Sequence, residues 1–384
     1  MDNYNVKIPC VLMRGGTSRG LIIKDIDLPN DEDARKGSIL KIYGSSKNGQ
    51  IDGVGGGTSL TSKLGIVGKY EKDDCDIYYT FGQVSIYENI IDFNVTCGNL
   101  ASAVGLYAVQ EGLVQVKEPY TKVRMLNTNT NKIIEVEVPV EESYPITEGN
   151  YHIDGVSQNG SKISVSFLAP DGAFTGNLFP TRNVMDTVVT QRGKRFSVSI
   201  LDTGNIVAFV RANDFNLIGT ELEDVINQDN ILHEIEELRI AVGIKLGIFK
   251  KGERVNPQVD ALPKIALVTN SEKANNSLTE TIDIVGRYIS MGKLHKAFAV
   301  SGSIALAAAC KIPNTIPNLL FNGNKEDSVT IGHPSGAISV EIIVEKNESD
   351  YKVVKGTIGR TARRIMEGVA VVPKSVIEKE GEKT

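Results

Sequence analysis

The sequence predicts an α+β fold made of two similar halves, and three observations carry that prediction. The chain has 384 residues, more than one ordinary hydrophobic core accommodates, so two domains are expected. Many short runs have strand character and few long stretches have helical period. Strands and helices do not alternate as a parallel α/β sheet requires. Two distant stretches also share one plan, a nucleophile-type residue, Gly, a small polar residue and then a small apolar helix; they begin at Cys97 and Ser301.

In the first stretch the β-rich run Ile90 to Val95 leads into Thr96-Cys97-Gly98-Asn99, and the composition then turns small and helix-permissive through Ala108. Cys97 therefore falls where a strand ends and a helix begins. The first turn of a helix carries unpaired N–H groups and the positive end of the dipole, so a thiol there loses its proton more easily and an anion beside it is stabilised. Gly98 lets backbone approach a ligand closely. Leu100, Ala101, Ala103, Val104, Leu106 and Ala108 make the helix apolar nearly all round, the pattern of a buried central helix. A buried structural cysteine fits the same stretch equally well. In the second stretch Ala297 to Val300 precedes Ser301-Gly302-Ser303, so that Ser301 falls on Cys97, Gly302 on Gly98 and Ser303 on Asn99.

Composition narrows the function. The net charge is −5 and no basic tract occurs, which disfavours nucleic-acid binding. Met1 to Asn5 is neither basic nor followed by a long apolar run, so no signal peptide is expected. The most apolar stretch, Ala297 to Pro313, is too short and too interrupted to span a membrane. Cys10, Cys75, Cys97 and Cys310 show no CxxC spacing, which fits reduced thiols and a cytoplasmic location. His152, His233, His295 and His333 form no paired motif, so no metal site is expected.

The elements follow in order. Val6 to Leu12 and Leu21 to Ile23 read as strands around Arg14-Gly15-Gly16-Thr17-Ser18-Arg19. That turn is either a plain hairpin or an anion nest offering the Thr17 and Ser18 hydroxyls. Asp31 caps a helix that stops at Gly44. The run Gly53 to Lys63 invites a phosphate loop but meets neither GxGxxG nor GxxxxGK nor SxxK. What remains is a flexible glycine run, three hydroxyls and Lys63. A lysine among small residues that loses its hydration would suit a base; a solvated surface lysine is the default alternative. Ile77 to Ile86, Ile90 to Val95, Val123 to Leu126, Ile133 to Val140 and Ile163 to Leu168 read as strands, with Glu135 and Glu137 on a wet face. Asp171 to Ala173 and Leu178 to Asn183 read as loops near the junction of the halves. Phe196 to Leu201 and Ile206 to Val210 flank Asp202-Thr203-Gly204-Asn205, the expected second-half counterpart of the Arg14 to Ser18 turn. Asn230 to Gly243 is an amphipathic helix, and Leu278 to Met291 is expected to be another, with Ile282, Val285 and Ile289 inward. Ser328 to Val344 reads as a hairpin, Tyr351 to Ile358 and Val369 to Val372 as the last strands, and the charged tail after Lys374 as frayed.

Taken together, Met13 to Gly20, Ile51 to Lys63, Phe81 to Ile86, Cys97-Gly98-Asn99, Leu178 to Asn183, Ser290 to His295, Gly332 to Gly336 and Arg360 to Gly368 resemble, in order, the PrpF family of 2-methylaconitate isomerases and its relatives. The resemblance implies the diaminopimelate-epimerase-like fold: two domains, each a curled, mostly antiparallel sheet around a central helix, with the site in the cleft between them. It implies an N-terminal domain of 1–184, joined by a C-terminal strand of about 368–384, and a C-terminal domain of 185–367. It places Lys63 and Cys97 where the family has its proposed acid–base pair. Three departures stand out. Ser301 replaces the second cysteine of the fold's epimerases, Arg19 stands where a lysine is usual, and Arg182 where a glycine is frequent.

The implied chemistry is isomerisation of small unsaturated tricarboxylates, cis–trans isomerisation of 2-methylaconitate or aconitate by proton abstraction, with no cofactor. Methylitaconate Δ-isomerase and 4-oxalomesaconate tautomerase activities are the alternatives within enzymes. A binding protein assisting a dehydratase is the non-catalytic one. A proton next to a carboxylate and allylic to C=C is acidified because its anion spreads over both. Lys63 or Cys97 would remove it. Charge would be held by the N–H groups of Gly98, Asn99, Gly302 and Ser303, by Thr17 and Ser18, by the Thr203-Gly204-Asn205 turn with Ser301, and by His295 as a nearby cation. The expected partner is a small polycarboxylate, with no nucleic acid and no membrane; a homo-oligomer is left open.

Overall fold

The computed structural model describes residues 4–378, except 73, 258–259, 274–280, 325 and 348–349. The first half supplies β1 (Asn5–Gly15), β2 (Ser18–Lys24), β3 (Lys63–Lys69), β4 (Ile77–Val84), β5 (Ile91–Asp92), β6 (Tyr120–Asn127), β7 (Lys132–Glu141), β8 (Tyr144–Pro145) and β9 (Ile163–Leu168), with helices α1 (Glu32–Tyr43) and α2 (Gly98–Gln110). The second supplies β10 (Asp186–Val189), β11 (Arg195–Asp202), β12 (Ile206–Arg211), β13 (Lys264–Asn270), β14 (Ile284–Ser290), β15 (Lys293–Leu294), β16 (Ser328–His333), β17 (Gly336–Lys346) and β18 (Tyr351–Arg360). Its helices are α3 (Glu223–Ile226), α4 (Asp229–Lys245), α5 (Val300–Lys311) and α6 (Ile316–Leu320), and the chain then runs through β19 (Ala362–Pro373) and α7 (Lys374–Ile377).

Strand pairing exposes a duplication. In the first half β1–β2 is antiparallel, β2–β3 parallel, β3–β4 antiparallel, β4–β6 parallel, and β6–β7 and β7–β9 antiparallel. The second half repeats the same succession through β11, β12, β13, β14, β16, β17 and β18. Antiparallel pairing of β9 with β18 joins the halves. Parallel neighbours cannot be joined by a tight turn and need a crossover. The β4–β6 crossover carries α2 and the β14–β16 crossover carries α5. Strand β19 returns to pair along β1, so Ala362–Pro373 lies in the first half's sheet.

Both crossover helices are swallowed by sheet. Every residue of α2 from Gly98 to Val109 is buried, as is every residue of α5 from Val300 to Cys310. Both belong to one core with Val136, Ile163 and Phe167 on one side and Ile331, Val340 and Ile358 on the other. Burial of each Leu or Val contributes about 1.5–3 kcal/mol, so packing rather than propensity holds these helices. Helix α1 obeys its sequence signals: the Asp31 carboxylate accepts from the Ala34 N–H at 2.8 Å, and Gly44 closes the helix at φ 70°.

Several expectations are corrected. The helix expected over Leu278 to Met291 is strand β14 from Ile284 to Ser290, and its first residues lie outside the described ones. Ile284 to Tyr288 are all buried, so two covered faces erase the alternation that marks a strand. The tail is ordered through α7, where Val376 packs against Gly37; residues beyond 378 lie outside the described ones. The returning strand spans Ala362–Pro373 rather than beginning near 368. Glu135, expected on a wet face, is buried and paired with Lys122 and Arg124 at 3.1 Å each. No helix among the described residues is long and apolar enough to cross a membrane.

Candidate active site

The two central helices point their N-termini at each other. A Cβ on Gly98 would lie 2.4 Å from a Val300 methyl carbon, so only glycine lets the helix starts approach this closely. Around their meeting point lies a small cavity that opens to solvent. Ser18, Lys63, Gln83, Asp92, Thr96, Cys97, Gly98 and Asn99 line it from the first half, and Asn205, Lys264, Tyr288, Ser290, His295 and Ser301 from the second.

On the first wall Lys63 opens β3 and is buried. Its Nζ donates to Gln83 Oε1 at 2.9 Å and lies 5.1 Å from the centre of the Phe81 ring. Gln83 is oriented for this because its Nε2 donates to the Ser59 and Ser62 carbonyls at 3.2 and 3.0 Å. The glycine run thus folds over Lys63 as a cap. Within it, Gln50 Oε1 accepts from Ser62 Oγ at 2.6 Å and from the Gly57 N–H at 3.0 Å. Arg19 lies over Gly56, and its backbone N–H donates to the Leu60 carbonyl at 2.8 Å.

Cys97 is the N-cap of α2, with extended backbone and no side-chain capping bond, and it lines the cavity. The Gly16-Thr17 turn packs on the first turn of this helix. Gly16 has φ 50°, and a Cβ there would meet Asn99 Oδ1 at 2.1 Å. Thr17 Oγ1 accepts from Asn99 Nδ2 at 3.0 Å while Arg360 Nε donates to Asn99 Oδ1 at 2.9 Å, so Thr17 serves the cavity through Asn99. Ser18 lines the cavity directly, and its buried hydroxyl has no partner among the described residues. Asp92 Oδ2, Thr96 Oγ1 and the Tyr288 hydroxyl share that condition in the same walls. A buried polar atom without a partner costs about 1–3 kcal/mol, so this concentration marks a place shaped for a polar ligand.

On the second wall the expected correspondence shifts. Helix α5 is capped by Ala299, whose carbonyl accepts from the Ser303 N–H at 2.8 Å, just as the Cys97 carbonyl accepts from Ala101 at 3.1 Å. Ala299 is therefore the structural counterpart of Cys97, and Ser301 lies inside the first turn. The Ser303 amide and hydroxyl both bond to Ala299, so neither is free to hold an anion. Asn205 links the helix starts: its Nδ2 donates to Ser301 Oγ at 2.7 Å and its Oδ1 accepts from the Thr96 N–H at 3.4 Å. Thr203, Gly204, Gly302 and Ser303 lie behind the cavity wall rather than on it. His295 lines the cavity, but burial pushes it down to about 4, which corrects its expected role as a cation. Its Nδ1 accepts from the Ala297 N–H at 3.1 Å, which makes Nε2 the protonated nitrogen and an uncharged donor.

Lys264 and Asp92 are among the cavity residues that the sequence did not single out. Lys264 opens β13 as Lys63 opens β3, and Asp92 pairs across from Gln83. Burial raises the Asp92 carboxyl above its usual range, against the backbone N–H of Asn94 and the charge of Lys264. Strand register rather than the sequence repeat matches the two lysines, because the Cys97–Ser301 spacing carries Lys63 onto Leu267 and not onto Lys264. Among the described residues no three His, Cys, Asp or Glu side chains come together to hold a metal ion.

Duplicated curled sheets around two facing helices, with a polar cavity at their N-termini, make this a protein of the diaminopimelate-epimerase-like fold. The PrpF protein family profile matches residues 5–373, and the chain belongs to that family. It is 41% identical over 378 residues to the 3-methylitaconate isomerase of Eubacterium barkeri, covering 96% of this chain and 98% of that one. It is 34% identical to the 2-methyl-aconitate isomerase of Shewanella oneidensis, covering 96% and 98%. The crystal structure of a methylitaconate-delta-isomerase superposes with a TM-score of 0.79 at 38% identity, covering 99% of each chain.

Proposed function

We propose that the protein isomerises a small unsaturated polycarboxylate by moving one allylic proton, with Lys63 and Cys97 as the proton-transfer groups. The observation that carries this reading is the placing of both on one wall of a cavity into which two helix N-termini open. The amides of Gly98, Asn99 and Ser301 fall in the helix positions that have no intrahelical acceptor and suit carboxylate oxygens. Ser18, Asn205 and the His295 Nε2–H add neutral donors.

The step balances within the site. The C–H bond α to a carboxylate and allylic to C=C breaks, and its proton bonds to the Lys63 amine or the Cys97 thiolate. The electron pair spreads over the allyl system and the carboxylate, and charge developing on that carboxylate meets preorganised N–H groups. Return of the proton at the far carbon shifts the double bond. Rotation before return at the original carbon exchanges cis for trans.

A double-bond shift in a dicarboxylate of methylitaconate type is the leading substrate reading, because the identity to the relative named for it is 41% against 34%. Cis–trans isomerisation of an aconitate-type tricarboxylate is the second, supported by the relative named for that activity. Incubating purified protein with each acid and following vinyl protons by NMR tests both. Conversion of either at catalytic rates is the expected result. Binding of both acids without conversion of either would leave a binding protein instead.

A further inference from the structure

We propose that Lys264 holds a substrate carboxylate in this cavity as the second-half counterpart of Lys63, and that its amine takes up a proton from solvent as the anion arrives. The proposal rests on the polycarboxylate reading above and extends it to a residue that the acid–base pair does not include.

Register makes the correspondence. Lys63 stands beside Gly20 of β2 in the parallel pair and opposite Gln83 of β4. Lys264 begins the equivalent parallel pair beside Val207 of β12, and the β13–β14 register places Ser290 opposite it. Each lysine bonds the side chain that its register supplies, Lys63 Nζ to Gln83 Oε1 at 2.9 Å and Lys264 Nζ to Ser290 Oγ at 3.2 Å. Gln83 and Ser290 both line the cavity, as do both lysines. The duplicated sheet therefore brings one amine to the cavity from each half.

The surroundings favour a group that changes charge on binding. Lys264 is 6% exposed, and its hydroxyl partner cannot balance a full charge. Burial pushes its amine down to about 7. Asp92 on β5 and Glu236 on α4 oppose that shift, while Arg239 on α4 and Lys63 on β3 reinforce it. His295 also faces this region and is neutral, and Asp260 acts on Asp92. An arriving carboxylate stabilises the ammonium and restores its ordinary proton affinity. Between pH 7 and 9 binding then consumes protons, and affinity rises as pH falls through that window.

Isothermal calorimetry at pH 8 in two buffers of different ionisation enthalpy tests this with methylsuccinate and tricarballylate, saturated acids that bind without turnover. The wild type is expected to take up a large fraction of one proton per acid bound. Lys264→Met should bind roughly 10–100-fold more weakly, the loss of one charge-assisted hydrogen bond, and take up none. Lys264→Arg, charged throughout, should keep most of the affinity without the uptake. Wild-type binding without proton uptake overturns the proposal, as does Lys264→Met with unchanged affinity and uptake. Failure of the wild type to bind either acid overturns the polycarboxylate reading itself, and the role of Lys264 with it.

Discussion

The two halves share a backbone and differ in what they mount on it. Lys63 with Gln83 and Lys264 with Ser290 are matched pairs at the same register of duplicated strands. Cys97 caps one central helix, and Ala299 caps the other. Both walls thus carry an amine and a helix N-terminus, but only one carries a thiol. A two-cysteine epimerase needs a proton carrier on each face of its substrate. An allylic shift can take and return its proton with groups on one side while the other side holds carboxylates. The duplicated frame thus presents an amine and a helix N-terminus twice but a thiol once, and the proposed reading assigns proton transfer to the half that carries the thiol.

The comparison breaks most visibly at the helix caps. Cys97→Ala is expected to lower kcat by about 10²–10⁴, the usual contribution of a proton-transfer group. Ser301→Ala removes one neutral hydrogen bond to Asn205 and should cost no more than about tenfold. Steady-state kinetics on the active substrate separates them, and equal losses would erase the asymmetry.

Thiol labelling sharpens the same contrast. Cys310 lies in the core around α5, where burial pushes its thiol well up. Burial likewise raises Cys10 and Cys75, neither of which lines the cavity. A bound polycarboxylate is therefore expected to slow iodoacetamide labelling of Cys97 severalfold and leave the other three unchanged, read by peptide mass spectrometry.

Lys264 gives a smaller effect, on stability. Its folded-state value of about 7 lies below the usual 10.5, so the unfolded chain binds more protons between those limits and stability rises with pH across that window. Below pH 7 the full cost of burying the ammonium is present. Lys264→Met should raise Tm by several degrees at pH 6, and the gain should fade as pH approaches 10 in thermal melts. The smallest expectation concerns the missing thiol. Ala299→Cys places sulfur at the second cap, yet turnover of the natural substrate should change less than about twofold, since the account assigns no proton transfer to that wall.

Much of this frame was legible in the sequence because burial leaves a compositional trace. The small apolar runs after Gly98 and Ser301 gave both central helices, and Asp31 with Gly44 gave α1. Strand β14 was not legible, since Ile282, Val285 and Ile289 recur at helical spacing while pairing on both edges and cover on both faces remove the alternation. The register of the second cap was hidden too, because helix-permissive residues extend to Val300 and nothing in Ala299-Val300-Ser301 marks the cap. Lys264 looked like any lysine before the fold buried it. His295 looked cationic until burial and the Ala297 N–H fixed it as a neutral donor. Arg182 adopts φ 62°, a conformation that glycine reaches without strain.

Washout of the substrate's allylic proton into deuterated solvent tests the central claim most directly, because it reads C–H cleavage apart from binding. Wild type and Lys63→Ala, each saturated with substrate, would be followed by NMR for deuterium at the allylic carbon. Exchange is expected in the wild type, with a fall of about 10²–10⁴ in Lys63→Ala while the variant still binds methylsuccinate. Undiminished exchange and turnover in Lys63→Ala would contradict the claim, leaving Lys63 a structural neighbour of Gln83 and Cys97 to move the proton without it.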